Sequence, residues 1–117
     1  MRRVWVGAGA LAGLSAVAMA AYAAHGVQGA AQEMVRQAVQ MQGWHALALL
    51  FCGLWAPQAG RIADAAGAAF VVGLLAFCTG VYAIALFGVH LADLAPVGGT
   101  LLMLGWLLLF VSAVRRR

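Results

Sequence analysis

The ten charged residues of this 117-residue chain all stand at the ends of long apolar runs, never inside one. Arg2 and Arg3 open the chain, and Glu33 and Arg36 follow the first run. Arg61 and Asp64 part the second run from the third, Asp93 precedes the last, and Arg115, Arg116 and Arg117 close it. A helix needs about 20 predominantly apolar residues to cross the hydrocarbon core of a bilayer. A soluble domain carries about 25% charged residues. Here 9% are charged and 66% are apolar, so the solvent for this chain is lipid.

A chain of this length is a single domain, residues 1–117, with room for four spans and short connections. The runs place them at about 4–24, 38–57, 65–90 and 96–114. The second run is short on its own and ends at Pro57, so its helix must begin near Val35 to Val39. Between the first two spans, Met34, Val35, Ala38 and Val39 share one helical face, with Gln32, Glu33, Arg36, Gln37 and Gln40 opposite. This predicts a short amphipathic helix over about 30–41, lying in the membrane interface. The expected fold is therefore all-α: a bundle of four transmembrane helices with an interfacial helix between the first two.

With 15 glycines and abundant alanine, close backbone approach must replace a thick core of large side chains. Ala8, Ala12, Ala16, Ala20 and Ala24 recur at every fourth position of the first span, beside Gly9 and Gly13, as a small-xxx-small ladder. The same segment also has the form of a secretory signal, with Arg2 and Arg3 before an apolar stretch and Ala18-Met19-Ala20 or Ala21-Tyr22-Ala23 as cleavage sites. Its length and its ladder favour a retained helix.

Four spans put both termini on one face together with the Arg61 connection. That face then holds six arginines and the other only Arg36, which predicts cytoplasmic termini and a bacterial inner-membrane location. Trp44 falls at the outer interface, and Trp5 and Trp55 near the inner one. The net charge of +4 rests on arginine alone and is read as facing lipid headgroups rather than nucleic acid.

Three histidines are the candidate metal ligands. His25, His45 and His90 all fall on the outer side at similar depth in the four-span topology, with Asp93 three residues beyond His90. Imidazole is the commonest metal ligand, so zinc, copper or proton handling is one reading. The other is that each ring suits the interface and bonds backbone or water; no HxxxH or HExxH spacing supports the first. Asp93 itself reads best as a helix cap before Pro96. Gly98 and Gly99 cost helix propensity and point to close packing or a bend. Tyr82 with Thr79, at helical spacing, is placed for an interhelical hydrogen bond deep in the bundle. Cys52 and Cys78 lie in different runs, form no CxxC and read as small packing groups.

Several segments together resemble the domain-of-unknown-function 423 family of small bacterial membrane proteins, related to the transmembrane protein 256 group. They are Ala24-His25-Gly26, Trp44-His45-Ala46-Leu47-Ala48-Leu49, Gly80-Val81-Tyr82, and Pro96-Val97-Gly98-Gly99 with Gly105-Trp106. The resemblance covers nearly the whole chain in order. It departs at Trp44, where tyrosine is more usual, and at Cys78-Thr79-Gly80, where a serine-glycine-serine type sequence is common. It implies four membrane helices and brings no activity with it.

The function expected on these grounds is non-enzymatic, structural or regulatory, through helix packing with a second copy or a membrane-protein partner in the bilayer, with no cofactor. A small transporter or channel subunit is the alternative, although no span carries a charge. Metal or cofactor binding at the histidines is the third reading.

Overall fold

The computed structural model describes residues 2–91 and 93–115. Arg116 and Arg117, counted above among the cytoplasmic arginines, lie outside the described residues. The chain forms α1 (Arg2–His25), α2 (Gly29–Ala59), α3 (Arg61–Phe87) and α4 (Leu94–Val114). Three of these, α1, α3 and α4, are long and apolar enough to cross a membrane. At 31 residues α2 is the longest of the four. Its first three turns carry the polar residues Gln32, Glu33, Arg36, Gln37 and Gln40.

The separate interfacial helix expected over 30–41 is not found: this segment forms the opening turns of α2, which runs without a break from Gly29 to Ala59. Gly43 is the only weak point between segment and span, and one glycine costs a helix about 1 kcal/mol. Packing outweighs that cost, because Val35 and Ala38 are fully buried and Gln32 Nε2 donates to the Ala23 carbonyl at 2.8 Å. Pro57 does not stop α2 either. It sits in the last turn, and the helix ends at Gly60, whose φ of 74° closes it through a bond from its N–H to the Ala56 carbonyl. Gly60 is also the residue from which α3 starts, so a single residue joins the two helices.

One spacing recurs in all four helices, in α3 as Ala63, Ala66, Phe70, Gly73, Phe77 and Gly80, all buried or half-buried. Along α2 the residues Val35, Ala38, Gln42, His45, Leu49 and Cys52 are all buried, in alternating steps of three and four. The same alternation runs through Trp5, Gly9, Ala12, Ala16, Met19 and Ala23 in α1, all buried or half-buried. It appears again as Ala95, Gly98, Leu102, Gly105, Leu109 and Ser112 in α4. A mean step of 3.5 residues keeps a seam on one face of helices that coil gently about each other. The every-fourth alanine ladder of α1 is therefore not the contact stripe: four residues overshoot a turn by about 40°. Its later members wind off the seam, and Ala20 and Ala24 are exposed.

Neighbours in sequence are neighbours in space: α1 packs on α2, α2 on α3, and α3 on α4. The closest approach is between α3 and α4. A Cβ on Gly98 would collide with the Phe77 backbone nitrogen and lie 2.6 Å from the Gly73 carbonyl oxygen, so only glycine fits there. Gly99, beside it, faces open space. The bundle is a slab of 50 × 26 × 18 Å. Its outer surface is as apolar as its interior, with Leu11, Leu14 and Val17 of α1, Leu47 and Leu54 of α2, and Phe110 of α4 largely exposed. A water-soluble bundle would hide such side chains; in lipid they are the solvated surface.

Candidate functional site

Polar side chains within the bundle are few, and nearly all of them join one helix to another. At the Arg2 end, Trp5 Nε1 donates to Asp64 Oδ1 at 2.7 Å, linking the first turns of α1 and α3. Trp55 Nε1 donates to Ser112 Oγ at 2.9 Å, linking the last turns of α2 and α4. These pairs fix an up-down-up-down arrangement, because two helix starts and two helix ends meet at one end of the slab. Among the described residues, no buried side-chain nitrogen or oxygen lacks a partner.

Deeper in the slab, Gln42 of α2 joins three helices. Its Nε2 donates to the Ala12 carbonyl at 2.9 Å and to Ser15 Oγ at 2.6 Å, both in α1. Its Oε1 accepts from the Tyr82 hydroxyl of α3 at 2.8 Å. The α1 backbone comes within reach because a glycine stands at position 9: a Cβ there would lie 2.8 Å from the Ala46 carbonyl oxygen. The interhelical bond expected of Tyr82 is thus present, and its acceptor is a glutamine that sequence reading passed over. The signal was available, since Gln42 lies seven residues from both Val35 and Leu49, on the buried seam of α2.

His45, three residues further and about 60° around the helix axis, faces α3 and α4. Its Nδ1 bonds the Met41 carbonyl at 2.6 Å, and its Nε2 lies 3.0 Å from Trp106 Nε1. An indole N–H only donates, so Nε2 accepts and the neutral ring carries its proton on Nδ1. His45, Phe70 and Trp106 also form a closed set of three rings, packed edge to face with centroids 5.2–5.7 Å apart. Gly105 makes room for it, since a Cβ there would meet the Phe70 ring at 2.6 Å.

The three histidines occupy different settings. His25 ends α1 and is exposed, and His90 lies beyond the end of α3 and is also exposed. His45 is buried, with both ring nitrogens engaged. Among the described residues, no group of three or more histidine, cysteine, aspartate or glutamate side chains stands where it could hold a metal ion. A shared depth, legible from topology, says nothing about lateral position. Asp93 starts α4 but makes no side-chain cap bond; its carbonyl accepts from the Val97 N–H at 3.0 Å. Cys52 and Cys78 are free and buried.

A crevice of about 490 Å³ opens between α1 and α3, with α2 as its floor. Leu11 and Leu75 flank it, and Ser15, Gln42, Thr79 and Tyr82 lie among its lining residues. Polar atoms of three helices meet an open apolar space there.

Residues 19–99 match the model of the family described as Protein of unknown function (DUF423). The chain belongs to this family. A UPF0382 membrane protein of Staphylococcus epidermidis is 30% identical over 118 residues, covering 97% of each chain. A UPF0382 membrane protein of Haemophilus influenzae is 29% identical, covering 92% of this chain and 91% of its own length. The UPF0382 membrane protein YwdK of Bacillus subtilis is 27% identical, covering 97% and 98%. No solved structure matches. The matched region of the family holds Gln42, His45, Thr79 and Tyr82, and excludes Trp106 and Ser112. It assigns no activity to any of them, and the chain is a membrane protein of a family whose activity is unassigned.

Proposed function

We propose that this protein is a four-span component of the bacterial inner membrane, with both termini cytoplasmic, acting without catalysis through its packing surfaces. The observation that carries this reading is where its polar side chains go. Gln42, Tyr82, His45, Trp106, Trp55 and Ser112 all bond across helices or close a ring cluster, so among the described residues these groups serve helix packing.

Chain direction supports a fourth span. α1 and α3 are both apolar enough to cross, and the Trp5–Asp64 bond sets their first turns at the same end. The chain between them has to return, and α2, about 46 Å long at ~1.5 Å per residue, exceeds the ~30 Å required. Its polar groups are tolerable because its neighbours satisfy them. Arg2, Arg3, Arg61 and Arg115 share the end with Trp5 and Trp55, and Arg36 lies toward the other, which supports cytoplasmic termini. Retention of α1 is supported by its bonds to Gln42 and Asp64, which cleavage as a signal would remove.

Two experiments test this. A membrane-impermeant thiol reagent should modify His90→Cys in intact inner-membrane spheroplasts, and Arg61→Cys only after lysis; the reverse pattern overturns the orientation. Photocrosslinkers at Leu14, Leu54 and Phe110 should give a discrete protein adduct, with a second copy or another membrane protein, from one face. Lipid adducts alone from all three faces would remove the packing role.

A further inference from the structure

We propose that the crevice between α1 and α3 binds a neutral membrane amphiphile: one long hydrocarbon chain whose small uncharged head carries a hydrogen-bond acceptor such as a carbonyl. The inference rests on the four-span reading, because it requires the crevice to lie in hydrocarbon.

The first observation is a hydroxyl without a partner. The chain has four serine and threonine residues. Ser15, Thr100 and Ser112 each bond a carbonyl of their own helix, at 2.9, 2.9 and 2.7 Å. Such back-bonding is how hydroxyls are normally satisfied in lipid-embedded helices. Thr79 lines the crevice and makes no hydrogen bond among the described residues. An unpaired donor in hydrocarbon is costly, so an acceptor arriving from the membrane finds a favourable place there.

The second observation is the surroundings of that hydroxyl. Tyr82, one turn on, spends its proton on Gln42 Oε1 and keeps its oxygen free to accept. Gln42 has both amide hydrogens committed to α1. The free donor capacity at this end therefore belongs to Thr79, which selects an acceptor in the ligand head. No charged side chain lines the crevice, which selects a neutral head. The rest of the lining is aliphatic apart from the Cys78 thiol and the Met19 thioether, which suits a chain.

Depth and shape decide among occupants. Thr79 stands about 7.5 Å along α3 from its midpoint at Leu74, inside a hydrocarbon half-thickness of about 15 Å. A phospholipid headgroup would have to leave the interface to reach it, whereas a small neutral head does so at little cost. A helix from a second copy needs a flat strip of small residues for close approach. Here Leu11 and Leu75, 67% and 65% exposed, stand at the flanks and hold a helix off while leaving room for a flexible chain.

The test uses the full-length protein in phosphatidylcholine nanodiscs with two photoreactive probes of equal chain length: a long-chain methyl ketone and the corresponding alkane. Both carry a diazirine at mid-chain. Adducts are mapped by peptide mass spectrometry. The ketone should label crevice residues on α1 and α3 about fivefold more than the alkane, as one hydrogen bond in a membrane interior allows. The preference should vanish in Thr79→Val, which keeps shape and helical signal, and persist in Thr79→Ser. Equal labelling by both probes, or ketone adducts spread evenly over Leu14 and Leu54, overturns the site, as does a crosslink to a second copy through the crevice. A companion Thr79→Cys variant, in a Cys52→Ala/Cys78→Ala background, separates the two readings. Modification by a water-soluble maleimide would overturn the spanning reading and the site with it. With that cysteine protected, absence of ketone preference overturns the site alone.

Discussion

Gln42 and His45 are three residues apart on one seam of α2, yet they occupy opposite kinds of environment. His45 is closed in: both ring nitrogens are bonded, and Phe70 and Trp106 pack edge to face against its ring. Gln42 holds three helices together at the floor of an open crevice, which Tyr82 and Thr79 also line. The difference teaches where a membrane protein of this size can keep function. A site in which every donor, acceptor and ring face is used is structural. One that keeps unspent hydrogen-bonding capacity beside a space can exchange partners.

Substitutions that break this contrast rank by burial. His45→Ala should cost most, about 3 kcal/mol in reversible unfolding from lipid-detergent mixtures, because it leaves a cavity and an unpaired Trp106 N–H. A red shift of tryptophan emission should accompany it. Gly105→Ala forces the Phe70 ring aside and should cost about 1–2 kcal/mol by the same assay, with the same spectral shift. Gln42→Leu should cost less than His45→Ala, about 1–2 kcal/mol, since membrane hydrogen bonds are worth roughly 0.6 kcal/mol each and the crevice gives room to relax. If Gln42→Leu proves the more damaging, the distinction between a closed cluster and an open junction is wrong. Tyr82→Phe, which removes one of those bonds, should cost about 0.6 kcal/mol.

The smallest effects sharpen the comparison from outside. His25→Ala and His90→Ala, both at exposed ends, should change stability by no more than about 0.5 kcal/mol. Stoichiometric zinc retained through gentle extraction and lost in His25→Ala would restore a metal role to the outer histidines, against the geometry described above.

Much of this was legible in the chain itself. Charges confined to the ends of apolar runs required a membrane-embedded helical protein, and glycine at position 98 marked a close contact. The family segments fell in the right order. The alanine ladder misled because a four-residue step looks like a packing motif until its drift around the axis is followed. The interfacial helix misled because amphipathic periodicity marks a face but not a boundary. Val35 and Ala38 lie on the same seam that carries Leu49 and Cys52, so the helix had no reason to stop. Gln42 was missed because one glutamine near a polar stretch looks like the end of that stretch.

What the sequence determined by itself was the solvent of this protein and its helical class. Those follow from transfer free energies, which depend on each residue's own chemistry and are additive along the chain. What only the tertiary structure decided was which side chains meet. Lateral position within a bilayer leaves no trace in hydropathy, because lipid-facing and core-facing surfaces are equally apolar. The ring set around His45, the three-helix junction at Gln42 and the unpaired Thr79 hydroxyl exist only once the helices are rotated and docked. The ten charges mark the ends of the apolar runs; the docking of its uncharged polar side chains decides which helices meet.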